Sequence, residues 1–224
     1  MQCLHRVRQR LMKNRTALIN QIRGLGLEYG IAIPESAHKV EQCLPEHLEN
    51  AENDLTPLSR ELFQELLLEL KEQQQRLKIL DKRLNHLNAQ EEDIRRLLTL
   101  PGIGPLGASA LMIALGESTD FKNGRHFASY LGLVPREHSS GGKVRLLGIT
   151  KRGDGYLRGI LIHGARSVVH RVQKIPDEQC NGLQRGLKGV IARSGSNKAA
   201  VALANKNARI AWALVSQQSS YEPR

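Results

Sequence analysis

Aromatic side chains are scarce in this chain, at three Phe, four Tyr and one Trp among 224 residues. Any core must therefore be mostly aliphatic, and the single Trp212 reads as core rather than as a platform for stacking bases. Cysteine is rarer still. Cys3, Cys43 and Cys180 are far apart and odd in number, which suits a reducing cytosol and forms neither a disulfide framework nor a metal site. No apolar run reaches the ~18 to 20 residues that cross a bilayer. The basic start, "MQCLHRVRQRLMKNR", has no apolar core behind it, so no secretory signal is expected. Also missing are a dinucleotide-binding or Walker-type glycine loop, metal-ligand spacing, internal repeats and low-complexity tracts. The expectation is a cytoplasmic chain with no membrane partner and no cofactor of its own.

Basic charge is abundant and unevenly placed. The formal net charge is +11. Residues 41–100 are net acidic, with 13 carboxylates against 8 cations. Residues 121–209 hold 17 Lys and Arg against Glu137, Asp154, Asp177 and Glu178. A segment this lopsided points to a polyanion, and nucleic acid comes first because clustered cations release counterions from phosphates on binding.

Hydrophobic spacing predicts a mainly α chain. Leu4, Val7, Leu11, Leu18 and Ile22 recur at helical intervals, giving a helix over residues 2–24 that Gly24, Gly26 and Gly30 end. Residues 31–56 read as an irregular connector. From Pro57 to residue 99, eleven positions from Phe63 to Leu98 follow alternating threes and fours, a coiled-coil seam interrupted by Gln73 and Glu91. A helix of about 40 residues spans ~60 Å, and one of about 23 only ~35 Å. Part of the seam is therefore expected to need a partner chain, while an internal helical hairpin remains the other option. Residues 1–30 belong with this arm, 100–215 form a compact helical domain and 216–224 a tail.

That domain opens with "LLTLPGIGPLGASALMIALGE". A helix, a glycine turn and a second helix resemble the helix-hairpin-helix motif. Gly102 and Gly104 would permit the turn and clear the way for a phosphate at the next helix start. The alternative is a buried hairpin whose glycines only turn the chain. Downstream lies "PREHSSGGKVRLLGITKRGDGYLR", with Ser139 and Ser140 before Gly141 and Gly142. Arg136, His138, Lys143, Arg145, Lys151 and Arg152 surround them. "KVRLLGIT" reads as half of a small β-hairpin, and Asp154 as the cap of a helix to Arg171. "IPDEQCNGLQRGLKGVIARSGSN" reads as loop-rich, followed by a last helix capped near Asn197. A serine is a weak nucleophile unless a base, cation or metal assists it, and a phosphodiester needs positive groups where charge builds. His138 reads as a phosphate contact before a general base. From composition alone, a mobile Ser/Gly loop is the plainer reading.

The run from "TLPGIGPLGASALMIALGE" through "SSGGK" and "GITKRGD" to "GILIHGAR" resembles the C-terminal domain of the insertion-sequence 110 transposases, a group that includes the IS116 and IS902 elements and the Piv and MooV invertases. "LHRVRQRLMKNRTALINQIRGLGLEYGI" is similar to the helix that follows their catalytic domain. The resemblance implies that Ser140, or less directly Ser139, forms a covalent phosphoserine link to DNA. It implies a structured RNA from the same element, and homo-oligomers through a coiled coil. The family's RNase-H-like domain, with an Asp-Glu-Asp-Asp set for Mg²⁺, would precede Met1. The expectation is a truncated copy or a C-terminal fragment, inactive in strand cleavage by itself. The alternative is a non-catalytic nucleic-acid-binding or oligomerisation fragment.

Overall fold

The computed structural model describes residues 1–117 and 120–222. The chain is mainly helical with one two-stranded sheet among the described residues. It divides into two compact units, Met1–Leu84 and Asn85–Arg224. Residues 118–119 of the loop expected after Glu117, and 223–224 of the expected tail, lie outside the described residues.

In the first unit, α1 (Gln2–Glu28) and α3 (Pro57–Gln90) run antiparallel. Arg8 binds Asp81 at 2.6 Å and the Tyr29 hydroxyl meets the Ser59 hydroxyl at 2.7 Å, which sets the direction. The first part of the seam is covered from within the chain: Phe63 and Leu70, with Leu67 beside them, share a core with Leu18, Ile19 and Ile22. Two corrections follow for the lengths. Gly24 and Gly26 do not end α1, which continues to a turn at Gly30, where φ is +71°. At 27 residues it reaches about 40 Å, close to the length of seam it covers. The long helix is also not continuous to residue 99. Glu91 adopts an extended backbone that separates α3 from α4 (Glu92–Leu98), although the apolar spacing runs on through it.

The connector at 31–56 contains a helix, α2 (Ala37–Glu49), whose first turn is capped by the Ser36 side chain accepting from the Lys39 N–H. Val40 and Leu44, one turn apart, are buried against α3's apolar face. The acidic composition and Pro45 disguised it.

The second unit is arranged around α9 (Ser196–Ser216), which packs on α4, α5 (Pro105–Leu115), α6 (Gly124–Tyr130), α7 (Gly155–Val172) and α8 (Gly182–Ser194). Ala199, Ala200, Ala204, Ala208 and Ala211 are fully buried on α9. Such small side chains let five helices approach one axis, and interiors packed to crystal-like density leave no slack there. The almost wholly apolar α5 is buried on several sides, as an all-round hydrophobic helix must be. The stretch expected to be loop-rich includes α8. Its start is a capping box in which the Asn181 side chain accepts from the Gln184 N–H and Gln184 returns a bond to Asn181.

Candidate nucleic-acid interface

The segment rich in Ser and Gly is an ordered hairpin. β1 (Pro135–Glu137) pairs antiparallel with β2 (Leu146–Ile149), and Ser140 pairs with Lys143 at the tip. The Lys143 N–H donates to the Ser140 carbonyl at 3.1 Å, closing a two-residue turn. Its central residues, Gly141 and Gly142, have φ of +56° and +73°. Positive φ at both positions defines the type I′ turn, whose twist matches that of the strands. A side chain on either glycine would meet no atom within 4 Å. The pair is therefore required by backbone conformation, and it leaves the tip bare.

The two serines differ. Ser139 donates to the Glu137 carboxylate at 2.6 Å and accepts from the Arg145 N–H at 3.2 Å. A regular ladder would send that N–H to the His138 carbonyl, so Ser139 completes the ladder with its side chain. Ser140 is exposed, and its hydroxyl has no hydrogen-bond partner among the described residues. Directly opposed residues share a face of a hairpin. The pairings Ser140–Lys143 and His138–Arg145 thus put the free hydroxyl on the face of Lys143, His138 and Arg145. Glu137 and Leu146 are paired on the opposite face with Ser139. Arg136 and every residue from His138 to Arg145 is exposed.

The base of the hairpin is held by backbone packing. Gly132 has φ +69°, and a Cβ on it would sit 2.1 Å from the Arg152 carbonyl oxygen. One on Gly153 would sit 2.1 Å from the Tyr130 carbonyl oxygen. The Arg158 guanidinium donates to the Leu131 and Arg152 carbonyls, tying both chain ends to α7. Lys151 takes a left-handed conformation, φ +57°, with its N–H donating to the Gly132 carbonyl. Lys151 and Arg152 are therefore exposed cations at the root, while Arg136, His138, Lys143 and Arg145 occupy the projecting part. Arg158 went unmarked in the sequence, where nothing distinguishes it from other basic residues.

Gly102 and Gly104 belong to another feature. The chain does form helix, turn and helix through α4 and α5. Gly102, at φ +83°, lies against α7: a Cβ on Gly164 would approach the Gly102 carbonyl oxygen to 1.9 Å. The Asn207 side chain donates to the adjoining Pro101 carbonyl. Gly102 is thus in close backbone packing with α7. Gly104 is the exposed residue preceding α5, with open space where a Cβ would stand.

No group of three or more His, Cys, Asp and Glu side chains suited to a metal occurs among the described residues. No described helix is long and apolar enough to cross a membrane.

The second unit is thus a helical platform packed on buried alanines that carries a basic Ser-Gly-Gly hairpin. Residues 94–180, which include that hairpin and the glycine-packed turn, match the transposase IS116/IS110/IS902 family. That stretch carries the domain of this family. It is 44% identical over 99% of its length to a Pseudomonas aeruginosa protein named "Probable family 20 transposase", covering 65% of that relative. It is 40% identical over 98% of its length to the Coxiella burnetii "Transposase for insertion sequence element IS1111A", covering 59% of it. A shorter match, 47% over 45 residues, joins it to the "Pilin gene-inverting protein" of Moraxella bovis, at 20% of this chain and 14% of that one. The chain thus spans less than two thirds of the length of the first two.

Proposed function

We propose that the chain is the DNA-acting part of a transposase of this family, with Ser140 as the nucleophile of strand exchange. The observation that carries this reading is the unequal use of two adjacent serines. Ser139 is occupied in closing the hairpin, whereas Ser140 presents a free hydroxyl at a tip without side chains. In the proposed step, Ser140 Oγ attacks a DNA phosphorus and forms a phosphoserine ester. The bond from phosphorus to the leaving deoxyribose oxygen breaks. The hydroxyl proton passes to His138 or water, and the leaving oxygen takes up a proton. Lys143 and Arg145 stand on the same face to offset charge on the phosphoryl oxygens, with Arg136 close behind. The ester keeps the phosphodiester energy, so a hydroxyl from another strand can reverse the step. Lys151 and Arg152 contact neighbouring phosphates.

Any Mg²⁺ used in the reaction would be held by the acidic domain that the family resemblance implies. A structured RNA from the same element is a proposed partner. Further copies of the chain are another, supported by Leu58, Leu62 and Leu68, which are 64%, 49% and 55% exposed on α3.

The test is a covalent adduct between the chain and its element's end DNA that survives denaturation. The mixture includes Mg²⁺ and a relative's acidic domain supplied in trans. Wild type and Ser139→Ala are expected to form the adduct and Ser140→Ala to form none. An adduct from Ser140→Ala removes that residue from the role. Salt-sensitive binding without any adduct favours the non-catalytic nucleic-acid-binding reading.

A further inference from the structure

Beside the hairpin, two grooves meet along the exposed side of α9. The first lies between the hairpin root and the start of α9, lined by Pro135, Leu147, Ile149, Lys198 and Val201. The second continues past the start of α6, lined by Arg125, Lys206, Arg209 and Trp212. Ala202 and Asn205 line both, so the two grooves adjoin along α9 and are treated together as one channel. Asn205 is fixed there by its side-chain bond to the Leu133 carbonyl at the hairpin root.

The channel carries one sign of charge. Neither lining contains Asp or Glu, and α9 contains no acidic residue over its 21 positions. Arg125, Lys198, Lys206 and Arg209 are exposed, and none has an ion-pair partner among the described residues. Cations that served only solubility would be interspersed with carboxylates, as they are in the first unit at Arg8–Asp81 and Arg76–Glu72. At 1.5 Å per residue, Lys198 to Arg209 spans about 17 Å. That length corresponds to about five steps of a DNA strand at 3.4 Å each.

We propose that this channel carries the DNA flanking the phosphate presented to the hairpin tip. The α9 cations neutralise successive backbone phosphates, and the apolar floor at Leu147, Ile149 and Val201 keeps the strand pressed toward the hairpin root. The inference rests on the reading of the second unit as acting on DNA, but not on Ser140 being the nucleophile. The row of α9 cations without a carboxylate beside it fits a polyanion, and the reading of this unit as acting on DNA makes that polyanion DNA.

The experiment titrates a fluorescein-labelled 30-base-pair DNA duplex of mixed sequence with the full chain across a range of NaCl concentrations. Three proteins are compared: wild type, Lys198→Gln/Lys206→Gln/Arg209→Gln, and the control Lys174→Gln/Arg185→Gln/Arg193→Gln. The control removes equal charge from exposed positions outside the channel. The channel variant is expected to lower the slope of log affinity against log salt by about 2.7, from about 0.9 per lost phosphate contact, while the control keeps most of the slope. Amine-reactive footprinting of the wild-type chain avoids any folding defect, and DNA is expected to protect Lys198 and Lys206. Equal slopes for channel variant and control, or unprotected Lys198 and Lys206 in the DNA complex, overturn the inference alone. Absence of salt-dependent DNA binding by wild type overturns it together with the functional reading. A 30-nucleotide RNA that protects these lysines where DNA does not overturns the choice of DNA.

Discussion

The two units of the chain are packed by different means. In Met1–Leu84 long side chains interlock: Leu18, Ile22, Phe63 and Leu70 fill the space between helices, and the polar groups His5 and Gln73 are buried as well. In Asn85–Arg224 the backbone itself makes several of the closest approaches. Gly102 meets Gly164, Gly124 meets Arg209, Gly132 meets Arg152, and Gly153 meets Tyr130. Side chains can shift to other rotamers when a neighbour changes, but carbonyl oxygens held by two elements cannot. The first mode tolerates variation. The second gives a platform with little freedom, which is what a projecting hairpin needs if its tip is to meet a phosphate at a set place.

The largest effect expected from this contrast is at Gly164. In Gly164→Ala the new methyl would stand 1.9 Å from the Gly102 carbonyl oxygen, so the turn must move away from α7. A loss of about 3 kcal/mol or more is expected in urea denaturation. Gly159 lies in the same helix with nothing within 4 Å, and Gly159→Ala should stabilise by about 0.5–1 kcal/mol. Equal effects at the two sites would break the comparison.

The hairpin tip is the exception inside the second unit, because its glycines are needed for conformation alone. Gly141→Ala should cost about 1–2 kcal/mol locally, the penalty for placing an L side chain in the left-handed region. The change should appear as faster amide exchange at the His138 and Lys143 N–H groups, with the global melting temperature almost unmoved. A global loss like that of Gly164→Ala would mean that the tip is part of the core.

The serines give a smaller and sharper contrast. Ser139→Ala removes two exposed hydrogen bonds and should cost about 0.5–1 kcal/mol, with the Arg145 amide losing protection. Ser140→Ala should leave stability within about 0.5 kcal/mol. If the two exchanged places, Ser140 would be the structural residue.

Much of the fold was legible where signals are local. Asp154 marks the start of α7 and its side chain does accept from the Tyr156 N–H; the helical arm and the mainly α class follow from apolar spacing. Misreadings arose where one local signal was weighed without its context. Gly24 and Gly26 read as breakers, but a glycine inside a helix costs only about 1 kcal/mol, which the α1–α3 core offsets. Glu91 leaves the helical region while the sequence keeps its apolar spacing, and beyond it Leu97 rather than the expected Leu98 is buried. Asn181 and Gln184 form a capping box that the many glycines nearby obscured. At the site, the Gly-Gly pair could be read as a turn, and the basic residues as a cluster. Which serine is engaged depends on Glu137 on the same strand and on the Arg145 N–H across the hairpin. The α9 channel depends on helices brought together from residues 123 to 213, and no local pattern encodes that.

The smallest effect should come from the side-chain-packed unit, through pH. His5 is 3% exposed on α1, and its pKa lies below the ordinary 6.5, first because of burial and then through Arg8, the N-terminal ammonium and Arg6. A histidine with a lowered folded-state pKa is held neutral by the fold, while the unfolded chain binds its proton more readily. Its contribution is complete above pH 6.5 and is lost as pH falls from there toward the lowered value. Thermal unfolding of the full chain should therefore show a melting temperature that declines below pH 6.5, and His5→Gln should flatten that decline. The Gly164→Ala destabilisation should be the same at pH 7.5 and pH 5.5, because a clash between backbone atoms does not titrate. A decline unchanged by His5→Gln would detach His5 from the pH response of the first unit.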